Sequence, residues 1–384
     1  MPSTTITSGV QYSGIWSLAG QANAKALGTW TGLPFLYSWG FNNKGQLGLG
    51  NITDYSSPKQ VGSLTTWSKL AGGFNRSTFA TKTDGTLWSW GLNQWGQLGL
   101  GDTTDRSSPT QIGALTNWLS VASGRYQTIA TKTDGTLWSW GRNQNGELGL
   151  SNTTNYSSPK QVGALTTWLN IAAGIYFTAA TKTDGTLWTW GQGSYGQLGL
   201  GNTTYYSSPK QVGALTTWYN VYCGSSNIIA TKTDGTLWTW GYNNRGQLGL
   251  GDITTRSSPV QVGALTTWSK VSSARYSAIA IKTDGTLWTW GQNQFGQLGL
   301  GDTTNRSSPN QVGALSTWLN ISAGMYNTIA TQTNGKLWTW GYNDKGQLGL
   351  GNITYYSSPK QVGSLTTWLN IAGGSYHTIA IAIP

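Results

Sequence analysis

The residues able to do acid–base, nucleophilic or metal chemistry are few: eleven aspartates, Glu147, His377 and Cys223 in a chain of 384 residues. Asp84, Asp134, Asp184, Asp234 and Asp284 stand in Thr-Asp-Gly turns, where a carboxylate is explained by turn geometry alone. No paired acids stand out, and one histidine cannot build a metal cluster. His377 ends the triplet Ser375-Tyr376-His377, read as a loop. Cys223 sits where related segments carry alanine, serine or glycine, so it reads as packing; alone, it excludes a disulfide framework. The GQLGLG run lacks the Lys-Ser/Thr of a phosphate loop and precedes no helix, so its glycines are expected to permit tight strand entry. Neither an enzyme nor a bound cofactor or metal is expected.

Recognition chemistry is better represented. In the loop Trp-Gly-x-Asn-x-x-Gly, the last variable position carries Trp95, Tyr195, Phe295 and Arg245, and the first carries Arg142, Tyr242 and Tyr342. A second variable set supplies Arg125 and Tyr126, Tyr176, Arg275 and Tyr276, Tyr326 and Tyr376, in a triplet that also includes Phe74-Asn75-Arg76. A third lies before Ser-Ser-Pro and includes Asp54-Tyr55, Asp105-Arg106, Tyr205-Tyr206 and Tyr355-Tyr356. Drift also makes copies differ, but Trp, Tyr, Phe and Arg are costly to expose and are enriched at binding hot spots. The fourteen residues named from the first two sets are therefore the candidate binding residues.

The elements that must position them repeat. Ser/Thr-Trp-Gly recurs at Trp39, Trp90, Trp140, Trp190, Trp240, Trp290 and Trp340, a spacing of 51 residues once and 50 thereafter. Thr-Ile-Ala-Thr and Thr-Leu-Trp-Ser-Trp alternate with period 2 around Asp134-Gly135, a β-hairpin signal. Pairs such as Trp138 and Trp140 project from one strand face. Of 23 tryptophans, only Trp16, Trp30 and Trp95 lie outside the recurring positions, so the remainder read as core. One such unit cannot bury its own apolar face, but a closed ring can, which predicts an all-β, seven-bladed propeller over residues 34–384. Hairpin turns number six against seven Trp-Gly strands. Phe35–Trp39 and Thr378–Ile383 are therefore expected to pair as the seventh hairpin, closing the ring without an open sheet edge.

The order Trp-Gly-x-Asn-x-x-Gly-Gln-Leu-Gly-x-Gly, Ser-Pro-x-x-Val, Trp-x-x-Ile-Ala-x-Gly and Thr-x-Ala-x-x-x-Asp-Gly resembles the regulator of chromosome condensation repeat, from about Leu33 to Pro384. The resemblance implies a seven-bladed propeller. It leaves function open, since that family includes an exchange factor, a plant photoreceptor and a bacterial enzyme inhibitor. Nothing in the loops identifies a small GTPase, and the clustered tryptophans of the photoreceptor are missing. His377 matches the histidine that the family pattern often has before this threonine.

Residues 1–33 contain no repeat element; Ser17 is placed to cap a helix over 18–27, with Gly28 ending it. Tyr-Ser-Gly-Ile-Trp-Ser-Leu followed by Ala-x-Gly-Thr-Trp resembles segments of marine bacteriophage structural proteins, which implies a virion-docking element; a cap on the propeller is the structural alternative. The net charge of +11 is spread over the repeats rather than gathered in a tail or stripe, so nucleic acid is not expected as a partner. No signal peptide or membrane insertion is expected, and the sequons at Asn51, Asn152, Asn202 and Asn352 matter only in a secreted eukaryotic protein. The combined expectation is a virion component, non-enzymatic, held by residues 1–33 to a virion protein and engaging a host-surface protein or glycan through its loops. A cellular interaction scaffold and a carbohydrate-binding lectin are the alternatives.

Overall fold

The computed structural model describes residues 32–384. Its strands, numbered β1–β28 in chain order, form seven antiparallel sheets of four. The third blade shows the unit: β7 (Trp118–Ser123), β8 (Gln127–Lys132), β9 (Leu137–Gly141) and β10 (Tyr156–Gln161) lie side by side in that order. Between β8 and β9, Asp134 Oδ1 accepts hydrogen bonds from the Thr136 amide (2.9 Å) and hydroxyl (2.6 Å), while Gly135 takes φ +77°. The same Thr136 hydroxyl accepts the Trp138 indole N–H at 2.9 Å, so the turn aspartate also orients a tryptophan.

The first blade closes the ring. Its order is β2 (Tyr55–Gln60), β1 (Phe35–Gly40), β28 (His377–Ala382), β27 (Trp368–Gly373), two strands from each end of the chain. Phe35 pairs with Ala382 and Gly40 with His377, in unbroken register, as the missing seventh turn predicts. Edges nonetheless remain. The outer strand of every blade is unpaired on one side, and each carries a proline, Pro58 in β2 and Pro159 in β10, with a register irregularity beside it. Proline and bulge keep such an edge from templating further strands.

Neighbouring blades are stapled through the Gly-Gln-Leu-Gly run. The Gln97 carbonyl of the second blade accepts the Trp140 indole N–H and the Thr128 hydroxyl of the third, both at 2.9 Å. Gly99 lies against the same indole: at φ +76°, a Cβ there would stand 2.7 Å from Trp140 Nε1. Trp39 closes the circle on the Gln347 carbonyl at 3.0 Å. The run therefore belongs to the joint between blades and not to strand entry. Trp140 is fully buried and meets Trp118 edge to face, centroids 6.0 Å apart; Trp138 is half-buried with the Lys132 ammonium 3.8 Å over its ring.

His377 is the first residue of β28, fully buried, and not a loop residue. Its backbone is held by pairing with Gly40, which lies 337 positions away in sequence, so local pattern does not reveal the strand start. The inner strands line an axial cavity of about 360 Å³ whose wall includes Tyr222 and Cys223. Burial pushes the Tyr222 phenol up to about 12 and the Cys223 thiol well up, consistent with packing for both.

Candidate functional site

All fourteen candidate residues lie on one face of the ring, because the turn into each second strand and the loop after each third strand emerge at the same end. Backbone bonds lock the two loop sets together: the Arg142 amide donates to the Tyr126 carbonyl at 2.9 Å, and Tyr242 donates to Ser226 in the same way. Tyr195 and Arg245 are exposed and the other twelve are half-buried. The opposite face carries the near-identical Asp-Gly turns.

The side chains form a belt broken into two arcs. In the shorter arc Trp95 meets Tyr126 edge on at 6.1 Å, and Tyr126 stacks on Tyr176 at 6.3 Å. Arg125 lies 5.0 Å over Tyr126 and donates to the Tyr176 hydroxyl at 3.3 Å, while Arg142 covers Tyr176 at 4.5 Å. The longer arc runs from Tyr195 to Tyr242 (4.5 Å) and Tyr276 (6.5 Å), then through Arg275 to Tyr326, whose hydroxyl accepts from it. Beyond lie Phe295 at 4.7 Å from Tyr342, and Tyr342 at 6.0 Å from Tyr376. Burial, with Tyr355 and Asp344 beside it, pushes the Tyr342 phenol above its ordinary value. Arg245 belongs to neither arc: it is exposed and, among the described residues, has no carboxylate or ring partner.

Three residues known only as variable positions from sequence complete the longer arc. Tyr355 packs on Tyr342 at 4.7 Å, and Phe41 meets Tyr376 at 6.2 Å with the Arg76 guanidinium 5.0 Å over its ring. Arg76 corrects the alignment of the triplets. The Gly73 amide reaches across to Ser77, where Gly124 reaches Gln127, so the single 51-residue spacing places one extra residue here. Arg76, at φ +59°, therefore stands in the place of Tyr126, and the third triplet residues Gln127, Phe177, Asn227, Asn327 and His377 are buried strand starts. Each of the two gaps between the arcs falls where the tyrosine shared by Tyr126, Tyr176, Tyr276, Tyr326 and Tyr376 is replaced: by Ser226 in the fifth blade and by Arg76 in the second.

Other candidates have structural partners. Arg142 pairs with the fully buried Glu147 at 2.6 Å, and Glu147 is the one acid among the joint glutamines. Burial pushes the Glu147 carboxyl up, opposed by Arg142. Arg106 of the third variable set begins an outer strand and is tied to Asp102 at 2.6 Å, and Asp105 accepts the Asn93 amide at 2.7 Å. Among the described residues no three His, Cys, Asp or Glu side chains gather as a metal site, and no helix is long and apolar enough to cross a membrane.

A seven-bladed ring with one loop face rich in aromatic and arginine side chains defines a class of β-propeller. The regulator of chromosome condensation (RCC1) repeat model matches residues 35–79, 84–131, 134–181, 184–230, 234–281, 284–331 and 334–381, and the chain belongs to that family. A 79-residue stretch is 39% identical to the Ultraviolet-B receptor UVR8 of Arabidopsis thaliana, covering 20% of this chain and 18% of the receptor. An 80-residue stretch is 45% identical to the Protein RCC2 homolog of Xenopus laevis, covering 20% and 15%. The matched stretches thus span less than a fifth of these relatives. Human WBSCR16 superposes with a TM-score of 0.81 at 21% identity, covering 91% of this chain and 98% of that one. Prp20p of Saccharomyces cerevisiae, described with its binding to Gsp1p and histones, gives 0.82 at 19% identity, covering 92% of each. These superpositions show the same fold.

Proposed function

We propose that the chain is a non-enzymatic binding protein that engages a macromolecular partner through the two aromatic–arginine arcs of its loop face. The observation that carries this reading is the belt itself. Packing explains the recurring tryptophans, whereas Trp95, Tyr195, Phe295 and Tyr342 are large rings at positions that differ from blade to blade, left partly open to solvent on one face. Aromatic and arginine side chains held by one another lose little further freedom on binding and are the residue types that dominate interface energetics. One solved protein of the same fold, yeast RCC1 (Prp20), is described with several protein partners, Gsp1p and histones in one structure and Kap60 in another, which supports a protein partner here.

The partner we propose is a host-surface molecule, with the propeller carried on a bacteriophage particle and residues 1–33 joined to a virion protein. The resemblance of residues 12–18 and 26–30 to phage structural segments supports this placement. The helix over 18–27 and the docking segment, up to residue 31, lie outside the described residues. Two variants test the proposal together. Trp95→Ala with Tyr195→Ala, in a chain of unchanged melting temperature, is expected to lower attachment of purified particles to host cells at least tenfold; full attachment would overturn the loop-face reading. Removal of residues 1–33 is expected to leave a folded propeller absent from particles, and its retention would overturn the docking role. Loss of the loop-face effect in any virion-free assay, with pull-down of a cellular protein, would favour the scaffold.

A further inference from the structure

Half of the chain's arginines are matched, side chain for side chain, with an acid. Where an outer strand opens with arginine, as at Arg106, Arg256 and Arg306, the residue four positions earlier is aspartate, and each pair closes at 2.6 or 2.7 Å. Where it opens with tyrosine, as at Tyr55, Tyr156, Tyr206 and Tyr356, that position is asparagine, whose amide N–H reaches the phenol oxygen at 3.4, 3.3, 3.3 and 3.2 Å. Arg142 follows the same rule, facing Glu147 where the other six blades carry glutamine.

The other four arginines break it. Arg76, Arg125, Arg245 and Arg275, all on the loop face, have no carboxylate partner among the described residues. The chain has no acid to spare for them. Of its 12 acids, five are the turn aspartates of the opposite face and four are those already paired with arginine. Asp54 and Asp105 accept the Asn42 and Asn93 amides at 2.7 Å, Asp105 also lies 3.1 Å from the Lys44 ammonium, and Asp344 lies 3.9 Å from that of Lys345. Residues 1–31 contain no acid at all.

Rings hold three of the four where an acid does not: Arg76 stands 5.0 Å over Phe41, Arg125 5.0 Å over Tyr126 and Arg275 5.0 Å over Tyr276. A ring attracts a guanidinium by its charge and leaves the N–H donors unspent. Arg125 gives one of its five to the Tyr176 hydroxyl at 3.3 Å, and Arg275 directs one nitrogen to the Tyr326 hydroxyl and the Met325 sulfur. The remaining donors suit a carboxylate, which takes two from one arginine. Asp54, Asp105 and Asp344 stand in the same loops and repel a strand of uniform negative charge, while aromatic rings separate one guanidinium from the next. Acids set among apolar side chains fit that spacing better than a nucleic acid or a sulfated glycan does.

We propose that the partner of the loop face is a protein segment in which aspartate or glutamate is interspersed with apolar side chains, its carboxylates seated on Arg76, Arg125, Arg245 and Arg275. The proposal rests on the loop-face reading above and names the chemistry of the partner. It also assigns the rings a second task, since they orient the guanidiniums before binding and pack the apolar side chains between them.

The test pans a random dodecapeptide library over the immobilised full chain and measures the selected peptides by fluorescence anisotropy. Peptides richer in acid than the input library, with apolar residues between the acids, are expected. Their affinity should fall at least tenfold between about 50 and 500 mM salt, and replacing their acids with lysine should abolish binding. Arg→Gln at positions 76, 125, 245 and 275 together, with an unchanged melting temperature, is expected to weaken binding at least tenfold. Arg245→Gln alone touches an exposed side chain without a carboxylate or ring partner, so it tests the same point with the fold intact, by a smaller loss. Selected peptides no richer in acid than the input, peptides held equally well by both arginine variants, or tighter binding of heparin or oligothymidylate than of any peptide would each overturn the proposal. Selection of no peptide would overturn it too. The loop-face reading falls separately, by full attachment of particles carrying Trp95→Ala with Tyr195→Ala.

Discussion

Gln97 and Trp95 stand two residues apart in one loop, and they follow opposite rules. Position 97 is glutamine in six blades and glutamate in one, because its carbonyl holds the next blade's tryptophan and its side-chain oxygen accepts the amide of residue 95 at 2.8 Å. Position 95 is Trp, Tyr, Phe, Arg, Lys or Asn from blade to blade; its side chain stays outside the indole–carbonyl staple and meets the next blade only on the loop face, as Trp95 meets Tyr126 and Lys44 pairs with Asp105. Within one repeat, then, the joint tolerates almost no change while the face above it is free to diverge. Variation alone does not signify function. Divergence toward aromatic and arginine residues, directly above a rigid joint, is what a pre-organised recognition surface requires.

Breaking the joint outright should have the largest effect. Deleting residues 378–384 removes β28 from the middle of the closing blade and exposes β1 and β27 as unpaired edges. Loss of cooperative thermal unfolding by circular dichroism is expected; an unchanged melting curve would refute closure by pairing. A single staple should cost less. Trp140→Ala removes a fully buried indole and leaves the Gln97 carbonyl with one donor fewer, an expected loss of about 3–5 kcal/mol in denaturant unfolding.

The third blade allows a sharper version. Arg142 is both a candidate binding residue and the partner of buried Glu147, so Arg142→Ala should destabilise by about 3 kcal/mol through the carboxylate left behind. Adding Glu147→Gln, the residue of the other six joints, should restore stability while leaving the arginine absent. Denaturant midpoints of the single and double variants decide this. If the double variant folds normally and binds its partner normally, Arg142 is a structural residue only.

How far all this was legible in sequence follows from the range of the determinants. The blade count, hairpin turns and closing pair are carried by local patterns and by a missing turn. The position of His377 is not, because a strand start held by a partner at Gly40 leaves no local mark. Nor was the function of the Gln-Leu-Gly run, since its acceptor role becomes visible only when the next blade's Trp140 sits on it. Arg142 looked like surface variation because Glu147 lies five residues away as a lone acid. The expectation of a ring without open edges overlooked that closure removes only two of them.

His377 tests the joint at its most sensitive point. The Thr78 hydroxyl donates its one proton to the Gln46 carbonyl at 2.7 Å, so the 2.9 Å contact with His377 Nε2 requires Nε2 to be the donor. Nδ1 is then an unprotonated nitrogen, buried and without a partner. Burial pushes this imidazole down to about 4 from 6.5, so the folded state binds the proton less readily than the unfolded one. Stability is therefore full above pH 6.5 and falls as pH drops toward 4, by at most about 3 kcal/mol. The turn aspartates, held low by Thr hydroxyls and amides, lose their contribution only below 3.8, outside that window. His377→Gln, the residue of the third blade, should flatten the dependence between pH 6.5 and 4. An identical slope in the variant would place the acid sensitivity elsewhere.

The smallest effect on stability, and the most direct probe of the face, comes from filling the gap. Ser226 is half-buried at a position where five blades hold tyrosine, and its carbonyl already accepts the Tyr242 amide as the Tyr126 carbonyl accepts Arg142. The backbone there is thus the one that carries tyrosine elsewhere, and Ser226→Tyr should change the melting temperature by no more than about 2 °C, as surface substitutions generally do. The new ring would stand between Tyr176 and Tyr242 and join the two arcs. If the partner rests on both arcs with the gap merely unused, added aromatic area should tighten binding a few-fold. If the partner inserts a group at the gap, the same substitution should weaken binding at least tenfold with stability intact. Titration of the folded variant against its partner separates the two geometries, and no change in affinity would show that the partner touches only one arc.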